Sequence, residues 1–193
     1  MNLPDAPQKT DRRVLYTKMF LRESLLELMR EKPISKITPT ELCRRAGINR
    51  NTFYTHYKST EDLLSSIEEE LFVMVRGSLE RLGSGLGIRA LITEICVAIA
   101  KNFDLSRILF SENGDTHFLE RLISLAHDQT MLAWRAAGIR ADTALLETLY
   151  TFSVNGSVAV IRAWVREEMP QQPQAIAEQL EQLTYNGLNA FTK

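Results

Sequence analysis

Apolar residues recur at helical spacing along nearly the whole chain. From about Thr10 to Glu31, Val14, Leu21, Leu25 and Leu28 fall on one face at close to the 3.6-residue period, which predicts an amphipathic helix. Lys32-Pro33 ends it, because a residue before proline is pushed out of the α region. Thr38-Pro39-Thr40-Glu41 predicts a new start, with Thr38 as cap, Pro39 at the first helical position and Glu41 completing a capping box. This helix is short, since Gly47 interrupts it after Ala46. Asn49 then caps a helix expected to run to about Tyr57. Ser59, with Asp62 three residues on, caps a longer one through Leu64, Ile67, Leu71 and Val75.

The next stretch, "RLGSGLG" from Arg81 to Gly87, holds three glycines in seven residues and reads as a joint or hinge. Beyond it the pattern predicts helices at about 88–103, 105–111, 115–137, 142–168 and 174–191. Breaks fall at Glu112-Asn113-Gly114-Asp115, at Gly138, and from Pro170 to Pro173. No strand-like alternation and no repeat interrupt this series. The expected fold class is all-α: an N-terminal three-helix domain followed by a larger helical C-terminal domain. A chain of 193 residues has ample core for one large unit or two modest ones.

Bulk composition, 45% hydrophobic and 24% charged, is that of an ordinary folded protein. No continuous run of about 18 apolar residues predicts a transmembrane helix. "MNLPDAPQKTDRR" lacks the apolar core of a secretory signal, so a cytoplasmic location without a membrane partner is expected. Cys43 and Cys96 stand apart without CxxC spacing and read as small buried hydrophobes. Charge changes the picture more. The net value of −1 hides a split: residues 9–58 carry 12 Lys and Arg against 5 Asp and Glu, and the remainder carries 11 against 19. That asymmetry points to a polyanion-binding module joined to something that is not one. The plainer alternative is charge scattered over solvated helix faces.

Within the basic region, "GINRNTFYTHY" (Gly47 to Tyr57) crowds three aromatics, an arginine and a histidine among small polar residues. Two helices of about two turns joined at Gly47 have the dimensions of a helix-turn-helix, whose second helix enters the DNA major groove. Leu42, Cys43, Ile48 and Phe53 would pack the pair together. Asn49, Arg50, Asn51, Thr52, Tyr54, Thr55, His56 and Lys58 would then face outward. Arg can fork onto guanine, Asn can pair with adenine, and Thr can meet a base or the thymine methyl. Tyr hydroxyls and helix-terminal N–H groups suit phosphate oxygens. Thr38, Thr40, Arg44 and Arg45, with Lys36 nearby, complete the expected DNA-facing set. Tyr57 is shared between that surface and packing, and His56 between phosphate and solvent.

The stretch "ITPTELCRRAGINRNTFYTHYKSTEDLLSSI" (Ile37 to Ile67) resembles the DNA-binding signature of the tetracycline-repressor-like, or TetR/AcrR, family. Ala46-Gly47-Ile48, Tyr54, Tyr57, Glu61 and Leu63 match that pattern in register, and the helix at 10–31 matches before it. The resemblance covers residues 10–75. It implies that Tyr54 contacts phosphate and that 49–55 form the base-reading surface. One departure stands out. The family usually places Lys after the Ser that starts the fourth helix, where it meets a phosphate, and here that residue is Thr60. Either Lys58 substitutes or the contact is absent.

For the C-terminal helices the resemblance implies ligand sensing and dimerisation. The residues add that "TFSVNGSVAVIRAW" (Thr151 to Trp164) is rich in small side chains around Gly156, and that Ile176, Leu180, Leu183 and Leu188 offer a stripe on the last helix. Helices 142–168 and 174–191 from two chains could form a four-helix homodimer interface. Such a dimer would set two recognition helices roughly 34 Å apart on a near-palindromic operator. The simpler alternative is that both helices only close the monomer's core. "FSENGDTHFLERL" and "NGSVAVIRAWVREEMPQQP" are loosely similar to a C-terminal domain of regulators related to those of dihydroxyacetone-kinase operons, and no effector is transferred from that likeness.

An unknown small-molecule effector would sit among helices 88–137 and the start of 142–168. The candidate lining residues are Phe103, Phe110, His117, Phe118, His127, Met131, Trp134, Tyr150 and Asn155, each aromatic being otherwise a core residue. His117 and His127, ten apart, lack the i, i+4 spacing of a helical metal pair, so no metal and no cofactor is expected. There is no Ser-His-acid set, phosphate-cradling loop or HExxH, and "GSGLG" follows a helix rather than a strand; an enzyme is not expected. The expected division is a helix-turn-helix domain at 9–58, a connecting helix at 59–82, and an effector and dimerisation domain at 88–193. The expected function is a DNA-binding repressor released by its effector. A co-regulator or activator whose C-terminal domain binds a protein partner is the first alternative. A helical binding protein or small enzyme with an incidental basic hairpin is the second, and steep salt dependence of DNA binding would separate it.

Overall fold

Every predicted helix forms. The computed structural model describes residues 9–83, 88–114, 116–136, 138–139, 141–189 and 191. The order is α1 (Lys9–Glu31), a 3-10 turn (Ile34–Lys36), α2 (Pro39–Ala46), α3 (Arg50–Tyr54), α4 (Thr60–Gly83), α5 (Ile88–Lys101), α6 (Phe103–Leu109), α7 (Thr116–Ala136), α8 (Thr143–Arg166) and α9 (Pro173–Asn189). The described residues contain no β-strand and form the expected all-α architecture. The proposed hinge at Gly83 to Gly87 falls, save for Gly83, outside the described residues. Contacts divide the chain into two units, Met1–Glu68 and Glu69–Lys193, so the division falls inside α4.

In the first unit α1 packs on α2 and α2 on α3. Leu21, Leu25, Leu28 and Met29 of α1 are fully buried, as are Leu42 of α2 and Phe53 of α3. Each such side chain contributes about 1.5–3 kcal/mol over its exposed state. Val14, expected on the same face, is only half-buried, one helix turn short of the contact. Two boundaries differ from expectation. Ile34–Lys36 forms a 3-10 turn, with Ile37 N–H donating to the Ile34 carbonyl at 2.9 Å. And α3 ends at Tyr54 rather than near Tyr57. There the His56 N–H closes a tighter three-residue turn onto the Phe53 carbonyl at 2.9 Å, and the Thr55 hydroxyl donates to the Thr52 carbonyl at 2.7 Å.

In the second unit α9 packs chiefly against α5. Cys96 and Ile99 of α5, Ile161, Trp164 and Val165 of α8, and Ile176 and Leu180 of α9 form one core cluster. Trp134, Ile139, Leu146, Tyr150 and Leu188 form another. This corrects the reading of α9 as a free stripe: Ile176, Leu180 and Leu188 are consumed within the monomer, and of that set Leu183 alone is exposed. Burial pushes the Cys96 thiol up to about 12, so it is an inert core residue.

The helix α8 bears on the expected absence of a membrane span. It has no unbroken apolar run, yet on average it is apolar enough, and long enough, to cross a membrane by length and composition alone. Serine, threonine and asparagine interrupt the run without lowering the average far. Five of its residues, Leu146, Tyr150, Ile161, Trp164 and Val165, are buried in the two core clusters, and Phe152 is left 79% exposed.

Candidate nucleic-acid interface and effector cavity

The recognition surface is built by caps. The Thr38 hydroxyl accepts from the Glu41 N–H at 3.2 Å and Pro39 takes the first turn of α2. The capping box, however, is only half made. Both Glu41 carboxylate oxygens accept from the Lys32 ammonium, at 2.8 and 2.7 Å, because a charged donor competes better than a backbone N–H. That hydrogen bond holds the Glu41 carboxyl below its usual range, with Arg44 and Arg45 adding to it. Gly47 stops α2 at φ 65°, a left-handed conformation natural to glycine. The Asn49 side chain then accepts from the Asn51 N–H at 2.8 Å and starts α3.

With Phe53 fully buried, the other side of α3 is fixed outward. Asn49, Arg50, Asn51, Tyr54, Thr55 and Lys58 are exposed, and Thr52, His56 and Tyr57 are half-buried. Tyr54 meets Phe53 edge-on at 5.2 Å and stands 48% exposed, with the Arg50 guanidinium 5.9 Å from its ring. Tyr57 leans on Phe53 at 5.9 Å, in keeping with packing, and His56 meets Tyr57 edge-on. Thr38, Thr40, Arg44 and Arg45 are exposed around this face. Arg45 is already engaged: its guanidinium bridges Glu31 at 3.0 Å and Glu27 at 3.6 Å, tying α2 to α1. Ile48, expected in the core, is only half-buried.

Thr60 has a structural role. It is 2% exposed and its hydroxyl donates to the Ile37 carbonyl at 3.1 Å, so no group at this position reaches outward. Lys58 remains exposed, while its N–H donates to the Asp62 carboxylate at 2.8 Å and the Ser59 hydroxyl caps the Asp62 N–H at 3.2 Å.

The second unit contains a cavity of about 180 Å³ between α4, α5, α7, α8 and α9, with Phe110 at the end of α6 reaching it. Leu71, Val75 and Leu79 of α4 form one wall, Leu91, Ile92, Ile95 and Ile99 of α5 another, and Phe118, Leu122 and Trp134 of α7 a third. Of the residues expected to line an effector site, Phe110, Phe118 and Trp134 are there; the others lie elsewhere. Phe103 stacks beneath the Arg107 guanidinium at 5.4 Å. The His117 side chain is 84% exposed beside Glu120. His127 and Met131 line a separate shallow groove between α7 and α8, where His127 bonds Asp128 at 2.9 Å and Glu147 at 3.0 Å. Those two partners raise its pKa, Asp128 first. Tyr150 is buried in the core, its hydroxyl donating to the Ile123 carbonyl at 2.5 Å, and burial pushes it up to about 12. Asn155 is exposed and donates back to the Thr151 carbonyl at 2.8 Å. The α4 wall lies outside the helices expected to hold an effector, and the α5 wall is aliphatic where aromatic residues are expected; a Leu and Ile stripe announces only a core. Among the described residues no group of three His, Cys, Asp or Glu side chains is placed to hold a metal ion.

Comparison with known proteins now decides the family. Residues 88–186 match the model of a transcriptional-regulator C-terminal region, and residues 21–67 match that of the bacterial regulatory proteins of the tetR family. The chain belongs to the TetR family. It is therefore a transcriptional regulator with a helix-turn-helix DNA-binding unit. Over 61 residues it is 36% identical to the uncharacterized HTH-type transcriptional regulator YxbF of Bacillus subtilis strain 168; that stretch is 31% of this TetR-family chain and 16% of YxbF. A TetR transcriptional regulator from Streptococcus agalactiae 2603V superposes with a TM-score of 0.65 at 22% identity, covering 95% of this chain and 98% of that one. The dihydroxyacetone kinase operon activator DhaS superposes with a TM-score of 0.64 at 15% identity, covering 92% and 98%. At such identities the likeness is one of fold.

Proposed function

We propose that this TetR-family regulator is a homodimeric repressor that reads a near-palindromic operator and is released from it by a small molecule. In this reading residues 9–58 bind DNA, 59–82 connect, and 88–193 sense the effector and dimerise. The observation that carries it is the division of labour within α4: Leu63, Leu64 and Ile67 are buried in the first unit, while Leu71, Val75 and Leu79 line the cavity of the second. A ligand that fills the cavity acts on the helix that also forms part of the DNA-binding unit. It shifts the equilibrium only by its different affinity for the two states.

Dimerisation is supported by the apolar side chains left uncovered on the last two helices, Phe152 of α8 at 79% exposure and Leu183 and Tyr185 of α9 at 68% and 59%. Gly156 faces open space, so a neighbouring helix can approach α8 closely there. The DNA-reading residues of this proposal are Asn49, Arg50, Asn51, Thr52 and Thr55. Tyr54, Lys58, Thr38, Thr40, Arg44, Arg45, His56 and Tyr57 serve phosphate contact and support. Selection of bound fragments from a random duplex-DNA pool at physiological salt tests it. A two-fold symmetric consensus is expected; enrichment without symmetry removes the dimeric-operator reading, and transcription from the recovered site reads the sign of regulation.

A further inference from the structure

We propose that the ligand of the α4–α9 cavity is a small, uncharged, hydrocarbon-rich molecule, with any hydrogen-bond donor it carries directed at Ser157. The inference rests on the reading of residues 88–193 as an effector domain and names the class of effector.

Size and lining both bear on it. At about 180 Å³ the cavity, which is partly open, is slightly larger than the enclosed cavities of ~150 Å³ that bind benzene. It therefore fits a substituted single ring or a short alkyl chain. None of its described lining residues is Asp, Glu, Lys, Arg, His, Asn or Gln; the polar side-chain groups are the hydroxyls of Thr130, Ser153, Ser157 and Thr184 and the indole N–H of Trp134. A carboxylate or phosphate taken from water into this lining would meet no counter-charge and bind more weakly than a neutral analogue.

The hydroxyls refine the chemistry. The Ser157 hydroxyl donates to the Ser153 carbonyl at 2.7 Å, one helix turn back. Its proton is thereby committed and its oxygen is left able to accept. A neutral ligand with an O–H or N–H group finds an acceptor at Ser157. A carboxylate, which only accepts, finds none there.

Three probes of one shape separate these properties: toluene, p-cresol and p-toluate. At neutral pH the cresol keeps its proton, as a phenol titrates near 10, and the toluate is ionised. Binding to the full-length protein is followed by calorimetry and by the rise in thermal midpoint. Toluene and p-cresol should bind saturably, with p-toluate about tenfold or more weaker. Ser157→Ala should weaken p-cresol about fivefold and leave toluene unchanged. Ala126→Leu and Val158→Phe, each placing bulk on the lining, should abolish the response to both neutral probes, with helical circular dichroism and a cooperative thermal transition showing that the variants fold.

Toluate binding as tightly as cresol would overturn the exclusion of charge. An equal effect of Ser157→Ala on toluene and cresol would remove Ser157 from recognition. Failure of both neutral probes to bind would overturn the inference and leave the space as a packing void. Each of these leaves the operator reading intact, since that stands on DNA selection by the ligand-free protein. Conversely, neutral-probe binding by a protein that enriches no DNA would support the cavity's ligand class and count against the operator.

Discussion

Arg50 and Tyr54 lie side by side on α3 yet make different demands on an experiment. If Arg50 reads a guanine, Arg50→Ala costs about 1–3 kcal/mol of operator affinity and relaxes the preference at one base position. Equal loss on all sequences, measured by the same DNA selection, would assign it to phosphate. Tyr54→Phe should weaken binding without altering the consensus, since its hydroxyl is the exposed polar tip of a ring packed on Phe53. His127 carries a pH signature of another kind. Its folded pKa is raised by Asp128 and Glu147 above the ordinary 6.5. The stabilisation it brings is thus fully present below 6.5 and fades as pH rises through the elevated value. His127→Gln should flatten that part of the midpoint-against-pH curve, and an unchanged curve would remove the Glu147 bridge from the account.

At the scale of the element, α2 and α3 are held by single residues whose roles are separable. Asn49→Ala removes the cap of a five-residue helix and should cost about 1 kcal/mol of stability. Gly47→Ala forces a side chain into φ 65° at a cost of about 1–2 kcal/mol, although a Cβ there would meet nothing. Gly114 fails for the opposite reason: a Cβ would stand 2.4 Å from the Leu109 carbonyl oxygen, so Gly114→Ala must displace the turn between α6 and α7. Denaturant unfolding of the three variants distinguishes conformational strain from steric clash, because only the last should be worsened further by Ser. The caps at Thr38, Asn49 and Ser59 were legible in the chain because each acts within three residues. The diversion of Glu41 to Lys32 was not, since it brings together groups nine residues apart across a bend.

For the whole molecule, the exposed apolar side chains of α8 and α9 set the test of assembly. Phe152→Glu should leave the fold intact, shift sedimentation towards the monomer, and lower affinity for a two-fold site by about a hundredfold as the second half-site contact is lost. Wild-type protein that sediments as a monomer would overturn the proposed dimer, and a variant that sediments with a dimeric wild type would place its interface elsewhere. The charge split belongs to this scale as well. The surplus of positive charge in residues 9–58 should make DNA binding fall steeply as salt rises, and a flat salt dependence would sever that region from the phosphate backbone.

Periodicity, glycine and proline breaks and the capping residues determined by themselves that this chain is all-α, where its helices lie, and that a basic helix-turn-helix stands at its N-terminal end. These are local properties, written in residues within one or two turns of each other. The tertiary structure alone decided which apolar faces meet. His117 and Phe118 are neighbours in sequence, but a helix turns 100° per residue, so one points to solvent and the other into the cavity. Ile176, Leu180 and Leu183 read as one stripe, yet the packing of α9 on α5 covers the first two and leaves the third exposed. An apolar side chain records that it will be buried. What buries it depends on contacts across the fold, which no local pattern carries.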